Sequence, residues 1–263
     1  MTWLVDHESL ARLGVFLMAL ILFGLLEHQF PRRALHRSSR RWINLLMPVT
    51  AAAIGRLLGP LVPVAVAWWA NAAGFGMLHL FNAPLWLAII MAFALLDLSI
   101  YWQHRMMHKI PILWRLHRMH HSDINIDVTT GVRFHPLEFL LSFFFKSLVV
   151  LILGAPVVAV ILFEIVLNAA ALFNHSNLAL SRRADSLIRW LLITPDLHRI
   201  HHSAKPEETN TNFGFSVPWW DHLFNSYKAE PVDGHSEMMI GLEEFRSDAD
   251  QSIVALLKQP GRS

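Results

Sequence analysis

The sequence predicts an all-α, polytopic membrane protein with four to five transmembrane helices and a cytoplasmic, histidine-rich helical catalytic cap. Three observations predict it. Of 263 residues, 54% are hydrophobic and only 16% charged, against about 25% charged in soluble domains, and mean hydropathy is +0.39. The apolar residues fall in runs suited to a hydrocarbon core of about 30 Å. Sixteen histidines are present and no cysteine, so disulfides, iron–sulfur clusters and thiolate metal sites are excluded. A water-soluble enzyme, a disordered chain and a coiled coil do not fit this composition. The ten tryptophans and 17 phenylalanines fit aromatic anchoring at bilayer interfaces.

The first span runs from Leu10 to Leu26, with Arg12 near its start and Glu27-His28 closing it. Asp6 and Glu8 ahead of it do not resemble the basic start of a secretory signal, so the segment is read as retained. Trp42 to Ala73 is a second apolar stretch, broken by Pro48, Arg56, Pro60 and Pro63. It is either one kinked, tilted span or a pair of half-inserted helices. Leu78 to Ile100 is the clearest span, with no charge from Leu80 to Leu96. Leu137–Leu153 and Val157–Asn174 read as a helical hairpin turning at Gly154-Ala155-Pro156. Lys146 and Glu164 stand equally far from Ala155. Antiparallel arms therefore bring them to similar depth, where an ion pair relieves the cost of two buried charges.

Net charge is only +2, but the positive charge is concentrated in Arg32, Arg33, Arg37, Arg40 and Arg41. Nucleic-acid binding would want such a patch on a polar domain. Between two apolar segments it reads instead as a loop retained in the cytoplasm. With five crossings, Gln103–His135 and everything after His175 are also inside. Arg105, Lys109, Arg115, Arg118, Arg182, Arg183 and Arg189 then obey the positive-inside rule. The expected organisation is membrane spans over 1–96, a catalytic region over 97–230 containing the hairpin 137–174, and a polar tail over 231–263. The location is an integral membrane one, the inner membrane in a bacterium, and no nucleic-acid partner is expected.

Three histidine clusters carry the chemistry: His104 and His108; His117, His120 and His121; and His198, His201 and His202. Spacings of i,i+4 and i,i+3,i+4 put each cluster on one helical face, and neutral imidazole is the commonest metal ligand. Eight such groups exceed one tetrahedral zinc and suit two metals with open positions. His175 ends the hairpin at the same level and is a ninth candidate. Isolated histidines at a membrane boundary (His28, His79, His222) receive no role. Ligand type alone leaves zinc, copper, iron and nickel open. A zinc protease would show HExxH, but positions 105 and 118 are arginine. Candidates to orient the imidazoles from behind are Asp97, Tyr101, Glu164 and Asn168 by helical spacing, and Asp123, Asp127 and Asp196 by proximity in sequence.

These clusters, with Arg133-Phe134-His135-Pro136-Leu137-Glu138 and Thr194-Pro195-Asp196-Leu197-His198-Arg199-Ile200-His201-His202-Ser203, resemble the fatty acid hydroxylase / sterol desaturase superfamily. Thr209-Asn210-Thr211-Asn212-Phe213-Gly214 and Trp220-Asp221-His222-Leu223-Phe224 are similar to its bacterial sterol-desaturase-like members. The resemblance spans Asp97 to Tyr227. It implies a membrane-bound, non-haem di-iron oxygenase that hydroxylates or desaturates an unactivated C–H bond of a lipid. Dioxygen is the co-substrate, and an external donor protein supplies two electrons. The implied cofactors are two iron ions, with zinc as a substitute in purified protein. The implied ligands are His104, His108, His117, His120, His121, His175, His198, His201 and His202, with His135 near the site. Some fatty-acid 2-hydroxylase members carry a further histidine where this chain has Ala171. The alternative is a zinc- or iron-binding membrane protein with a hydrolytic or structural site and no oxygen chemistry.

Overall fold

A computed structural model describes residues 2–35 and 40–262; Arg37 lies outside them. Helices dominate, and no strand occurs among the described residues; two isolated bridges, Pro31 to Leu178 and Ser203 to Ile240, are the nearest approach to one. The principal helices are α1 (Glu8–Gln29), α2 (Arg40–Leu58), α3 (Pro63–Ala72), α4 (Leu85–Lys109), α5 (Pro111–His121), α6 (Pro136–Leu153), α7 (Val157–His175) and α8 (Pro195–His201). Five segments are long and apolar enough to cross a bilayer: α1, the stretch 40–80 containing α2 and α3, α4, α6 and α7.

The stretch that sequence left open is one long candidate span made of two helices. Arg40 is tied to Asp123 at one end. Near the break, the Ser147 hydroxyl donates to the Leu61 carbonyl at 2.6 Å, and at the far end Asn71 Nδ2 donates to the Ala155 carbonyl at 2.8 Å. The chain thus climbs past α6 from its start to the hairpin turn. The interruption falls at Gly59, which adopts φ +50, and Pro63 starts α3 where its missing N–H costs nothing.

The hairpin turn forms as its sequence requires. Gly154 takes the left-handed conformation with φ 62, and its N–H caps Leu151 and Val150. The loop before α4 closes over it so tightly that a Cβ on Gly76 would lie 2.2 Å from the Gly154 nitrogen. Helix α7 is the central post, packed by α1, α3, α4 and the turn Val128–Val132. Its buried residues include Ile161, Phe163 and Leu172, and α4 meets it with Leu96 and Ile100. Leu10, Leu17, Ile21, Trp86 and Ile90 face outward, as lipid-facing positions do.

After α7 the chain folds back across the ends of the helices that carry the histidines. Leu256 packs with Met47 and Met119, and Met238 and Ile240 pack with Ile126. Arg118 Nη2 donates to the carbonyls of Gln259 and Arg262, fastening the C-terminal turn to α5. Between α7 and the tail 231–263, apolar side chains also stand on the surface. Leu187, Trp190, Leu191, Trp219 and Leu223 are all exposed, and Trp220 Nε1 reaches Asp97 Oδ2, halfway along α4, at 2.8 Å.

Candidate metal centre

Helix α4 delivers His104 and His108 in its last turns, and Pro111 turns the chain into α5, which carries His117, His120 and His121. His175 ends α7, and α8 carries His198 and His201, with His202 at its C-cap. All nine imidazoles converge, in two groups. His104, His108, His117, His121 and His201 form one; His120, His175, His198 and His202 form the other. Within each group the candidate ligand nitrogens all lie within 4.8 Å of one another.

Helix geometry explains the sorting. In each HxxHH run the i and i+4 rings stay together while the i+3 ring points about 100° away from the i+4 ring. His117 and His121 therefore enter the group of five and His120 the group of four. In α8 the assignment reverses: His198 and His202 enter the group of four, His201 the group of five. The groups lie side by side, with His121 and His202 stacked at 4.4 Å between ring centroids.

Proton positions follow from the partners. Nδ1 of His104 donates to the Phe213 carbonyl at 2.8 Å, that of His201 to Thr211 at 2.8 Å, that of His175 to Ala171 at 2.7 Å and that of His120 to Arg133 at 3.2 Å. His117 Nδ1 donates to Glu138 Oε1 at 2.7 Å. A carbonyl only accepts, so each Nδ1 carries the proton and each Nε2 presents a lone pair. Yet His104 and His201 face each other through Nε2 at 3.0 Å, as do His120 and His175; His104 and His117 do so at 3.2 Å. Lone pairs at that separation repel unless a cation lies between them.

A proton is a poor candidate for that cation. Burial pushes His120, His121, His198 and His202 well below the ordinary imidazole value, and neighbouring rings push them further. Burial likewise takes His201 down to about 3. Moreover, both ring nitrogens of His108 and His202, Nε2 of His121 and Nδ1 of His198 are buried without a hydrogen-bond partner among the described residues. Each such group costs about 1–3 kcal/mol if left unmet. The donor set fits divalent transition metals with nitrogen preference.

A buried polar frame holds the loop after α5. Asp127 caps the turn Val128–Val132, accepting from the Thr129 N–H at 2.9 Å. Arg40 bridges Asp123 at 2.7 Å and Asp127, and Glu27 Oε2 accepts from the N–H groups of Val128 and Asn177, each at 2.9 Å. Burial alone would raise the Asp123 carboxyl, but Arg40 and Arg133 outweigh it and hold it below the usual range. Arg40 is only 3% exposed, so this arginine of the basic loop serves the fold and is not a surface charge. Sequence reading took it as topological because an arginine after an apolar segment looks the same in both roles. Of the basic residues further along, Arg189 is tied to Asp185 at 2.6 Å.

Several residues expected behind the ligands stand elsewhere. Asp97 accepts from Trp220. Tyr101 shares its hydroxyl with Ser226 and Arg105. Asn168 donates back to the Glu164 carbonyl. Asp123 belongs to the frame, and Asp196 pairs with Arg199 and, at 3.2 Å, with Arg32. His135 N-caps α6, accepting from the Leu137 N–H at 3.2 Å, with Nε2 facing the Leu257 carbonyl; it touches neither group. For Asp97, Tyr101 and Asn168 correct helical spacing met a nearer partner. The residue the expectation missed is Glu138. Its only signal was its place as the single carboxylate of the His135-Pro136-Leu137-Glu138 run, four residues before Ser142 on the face that α6 turns toward the cavity.

A cavity of about 600 Å³ begins at this centre. His104, His117, Glu138, Ala171 and Phe215 line its floor. Ala171 stands one turn before His175, and Gly131 approaches it so closely that a Cβ there would lie 2.6 Å from the Ala171 oxygen. The walls are apolar, with Phe16, Val64, Phe139 and Leu167 among them.

The fatty acid hydroxylase family model matches residues 89–226, just over half of the chain. The chain is similar to an ornithine lipid hydroxylase of Rhizobium tropici, 29% identical over 189 residues that cover 71% of this chain and 56% of that protein. It is similar to the human alkylglycerol monooxygenase, 29% identical over 53% of this chain and 30% of the relative. A rice very-long-chain aldehyde decarbonylase is 24% identical over 61% of this chain and 27% of the relative. The chain thus spans about half or less of the curated relatives it matches. No solved structure matches it. On its histidine groups and this match, the chain belongs to the fatty acid hydroxylase family.

Proposed function

We propose that the protein is a membrane-bound, di-iron lipid oxygenase that hydroxylates or desaturates an unactivated C–H bond, with dioxygen and an electron-donor protein as co-reactants. The observation that supports it best is the pairing of proton-free Nε2 atoms in two adjacent groups at the floor of an apolar cavity. The five-histidine group and the four-histidine group would each hold one iron. Two irons bound there supply the activation of dioxygen and the oxidising power for the C–H bond. The chain's own part is positioning. Carbonyls of Phe213, Thr211, Ala171 and Arg133 fix the tautomers of four ligands, and Glu138 fixes a fifth, His117. Phe134 stacks on His120 at 4.4 Å between centroids, and Phe213 and Phe215 cover His104, keeping water from the floor. The positive-inside pattern of Arg105, Lys109, Arg115, Arg182 and Arg183 supports a cytoplasmic histidine face.

The test joins metal analysis to lipid analysis. Purified protein should carry two irons per chain. Cells making it should gain a lipid with one more oxygen or two fewer hydrogens, absent with His120→Ala or His201→Ala. A zinc protein that consumes no oxygen with reductant and leaves the lipids unchanged overturns the reading in favour of a hydrolytic or structural site.

A further inference from the structure

The cavity has a second end that the metal chemistry does not use. Glu164 sits eleven residues before His175 on α7, so about 16 Å above the floor at 1.5 Å per residue. Lys146, two turns beyond Glu138 on α6, donates to Glu164 Oε1 at 3.0 Å. Arg12 of α1 closes on Glu164 Oε2 at 2.9 Å, and its other arm holds Glu8 at 3.1 Å. Arg12, Arg56, Lys146 and Glu164 all line the cavity: with Glu8 on Arg12, three cations stand against two carboxylates at this end, one positive charge in surplus. Ionisable groups at membrane depth mark binding sites and pathways more often than they serve stability. Arg56 lies sixteen residues from Arg40 along α2, about 24 Å from the histidine face, which is well inside the opposite leaflet of a hydrocarbon core about 30 Å thick.

We propose that this cluster is the binding site for the acidic end of a lipid, a carboxylate or similar compact anion. The lipid enters from the leaflet opposite the histidines with its chain running down to the floor. Lys146 has two ammonium donors not used by Glu164, and Arg12 retains Nε. The surplus positive charge is met by the lipid's anion. The orientation has a consequence for the reaction: the C–H bond presented to the histidines lies in the distal half of the chain, far from the polar end. Arg12 and Arg56 come from helices outside the family-matched residues 89–226. The site therefore makes this chain selective without altering the shared metal centre. The inference rests on the oxygenase reading only for what happens at the floor; binding and orientation stand or fall alone.

The test uses full-length protein in lipid nanodiscs with palmitic acid carrying a diazirine at its methyl end, beside the methyl ester of the same probe. After irradiation, mass spectrometry locates the adducts, and iron content and oxygen consumption are measured on the same samples. The acid should label floor residues such as Phe134 and Phe215, about tenfold more strongly than the ester, as loss of a charge-assisted contact implies. Lys146→Met combined with Arg56→Gln removes the surplus positive charge while Arg12 keeps Glu164 and Glu8, and should abolish that preference; Lys146→Arg should keep it. Equal labelling by acid and ester, or adducts beside Ser9 and Leu13, overturns the proposal. So does absence of cavity labelling. None of these results depends on the iron count, which judges the oxygenase reading separately.

Discussion

The two histidine groups are built from the same parts and finished differently. Each takes an i,i+4 pair from one HxxHH run and the i+3 ring from the other, an exchange that makes them near mirror images. The group of five adds the His104–His108 pair of α4. The group of four adds His175 alone, because Ala171 occupies the position of its pair-mate, and Ala171 lines the cavity. Their supports differ too. A carboxylate, Glu138, stands behind His117 in the first group, whereas backbone carbonyls stand behind His120 and His175 in the second. The contrast points to one saturated, charge-supported site and one site with an open position; the cavity floor is formed by His104 and His117 of the first and by Ala171 beside the second.

Removing a ligand from each group gives the largest effect. His201→Ala leaves four imidazoles in its group, whereas His202→Ala leaves three. Both should lower product formation by more than about 100-fold, exceeding the 10–100-fold typical of residues behind a ligand. Chelator titration should strip one metal from the His202 variant first. Equal retention in both variants would break the comparison.

Glu138→Gln comes next. It keeps the shape but removes the charge behind His117, and the five-histidine group should lose about 10–100-fold in metal affinity. The other group, leaning on carbonyls, should be unaffected. If both groups weaken alike, Glu138 acts on the fold rather than on one site.

Much of this arrangement was legible in sequence, and the limits are instructive. The 3.6-residue period placed each cluster on one face, the hairpin followed from Gly154-Ala155-Pro156, and equal spacing from Ala155 foretold the Lys146–Glu164 pair now seen at 3.0 Å. Which ring joins which group was not legible, because that depends on how α5 and α8 face each other across the site. The carbonyls behind four ligands left no trace, since every residue supplies a carbonyl. Arg12 was visible but its partner was not; the register of α1 against α7 is set by packing. Asp97 and Tyr101 had the right spacing and the wrong neighbours, contributed by Trp220 and Ser226 more than a hundred residues away.

A smaller effect is expected at Gly131, which bears on the open group alone. Ala at this position would press its Cβ against the Ala171 oxygen, 2.6 Å away, the acceptor that fixes His175. Overpacking of this kind costs about 1–3 kcal/mol. Gly131→Ala should lower the melting temperature by several degrees and loosen the metal of the four-histidine group in preference to the other. Unchanged melting would mean that the Val128–Val132 turn moves aside freely.

The smallest effect separates burial from metal binding. His235 is buried like the ligands, yet its neighbours are carboxylates, Glu230 at 3.4 Å and Asp196 at 3.8 Å, rather than other rings. Burial takes it down to about 4 despite the pull of Asp196, with Arg199, Arg32 and Arg189 adding to the depression. A folded-state value below the ordinary 6.5 means that the unfolded chain binds the proton more tightly. The stability His235 contributes is therefore fully present above about pH 6.5 and is lost as pH falls towards 4. His235→Gln should flatten the fall in melting temperature between those limits while leaving metal content and the pH 7.5 product yield intact. The slope that remains in the variant is then the part owed to the ligand histidines, which iron loading should suppress and metal removal should steepen. If the variant melts with the same pH slope as the parent, His235 binds its proton equally in the folded and unfolded chain, and acid sensitivity belongs to the two groups alone.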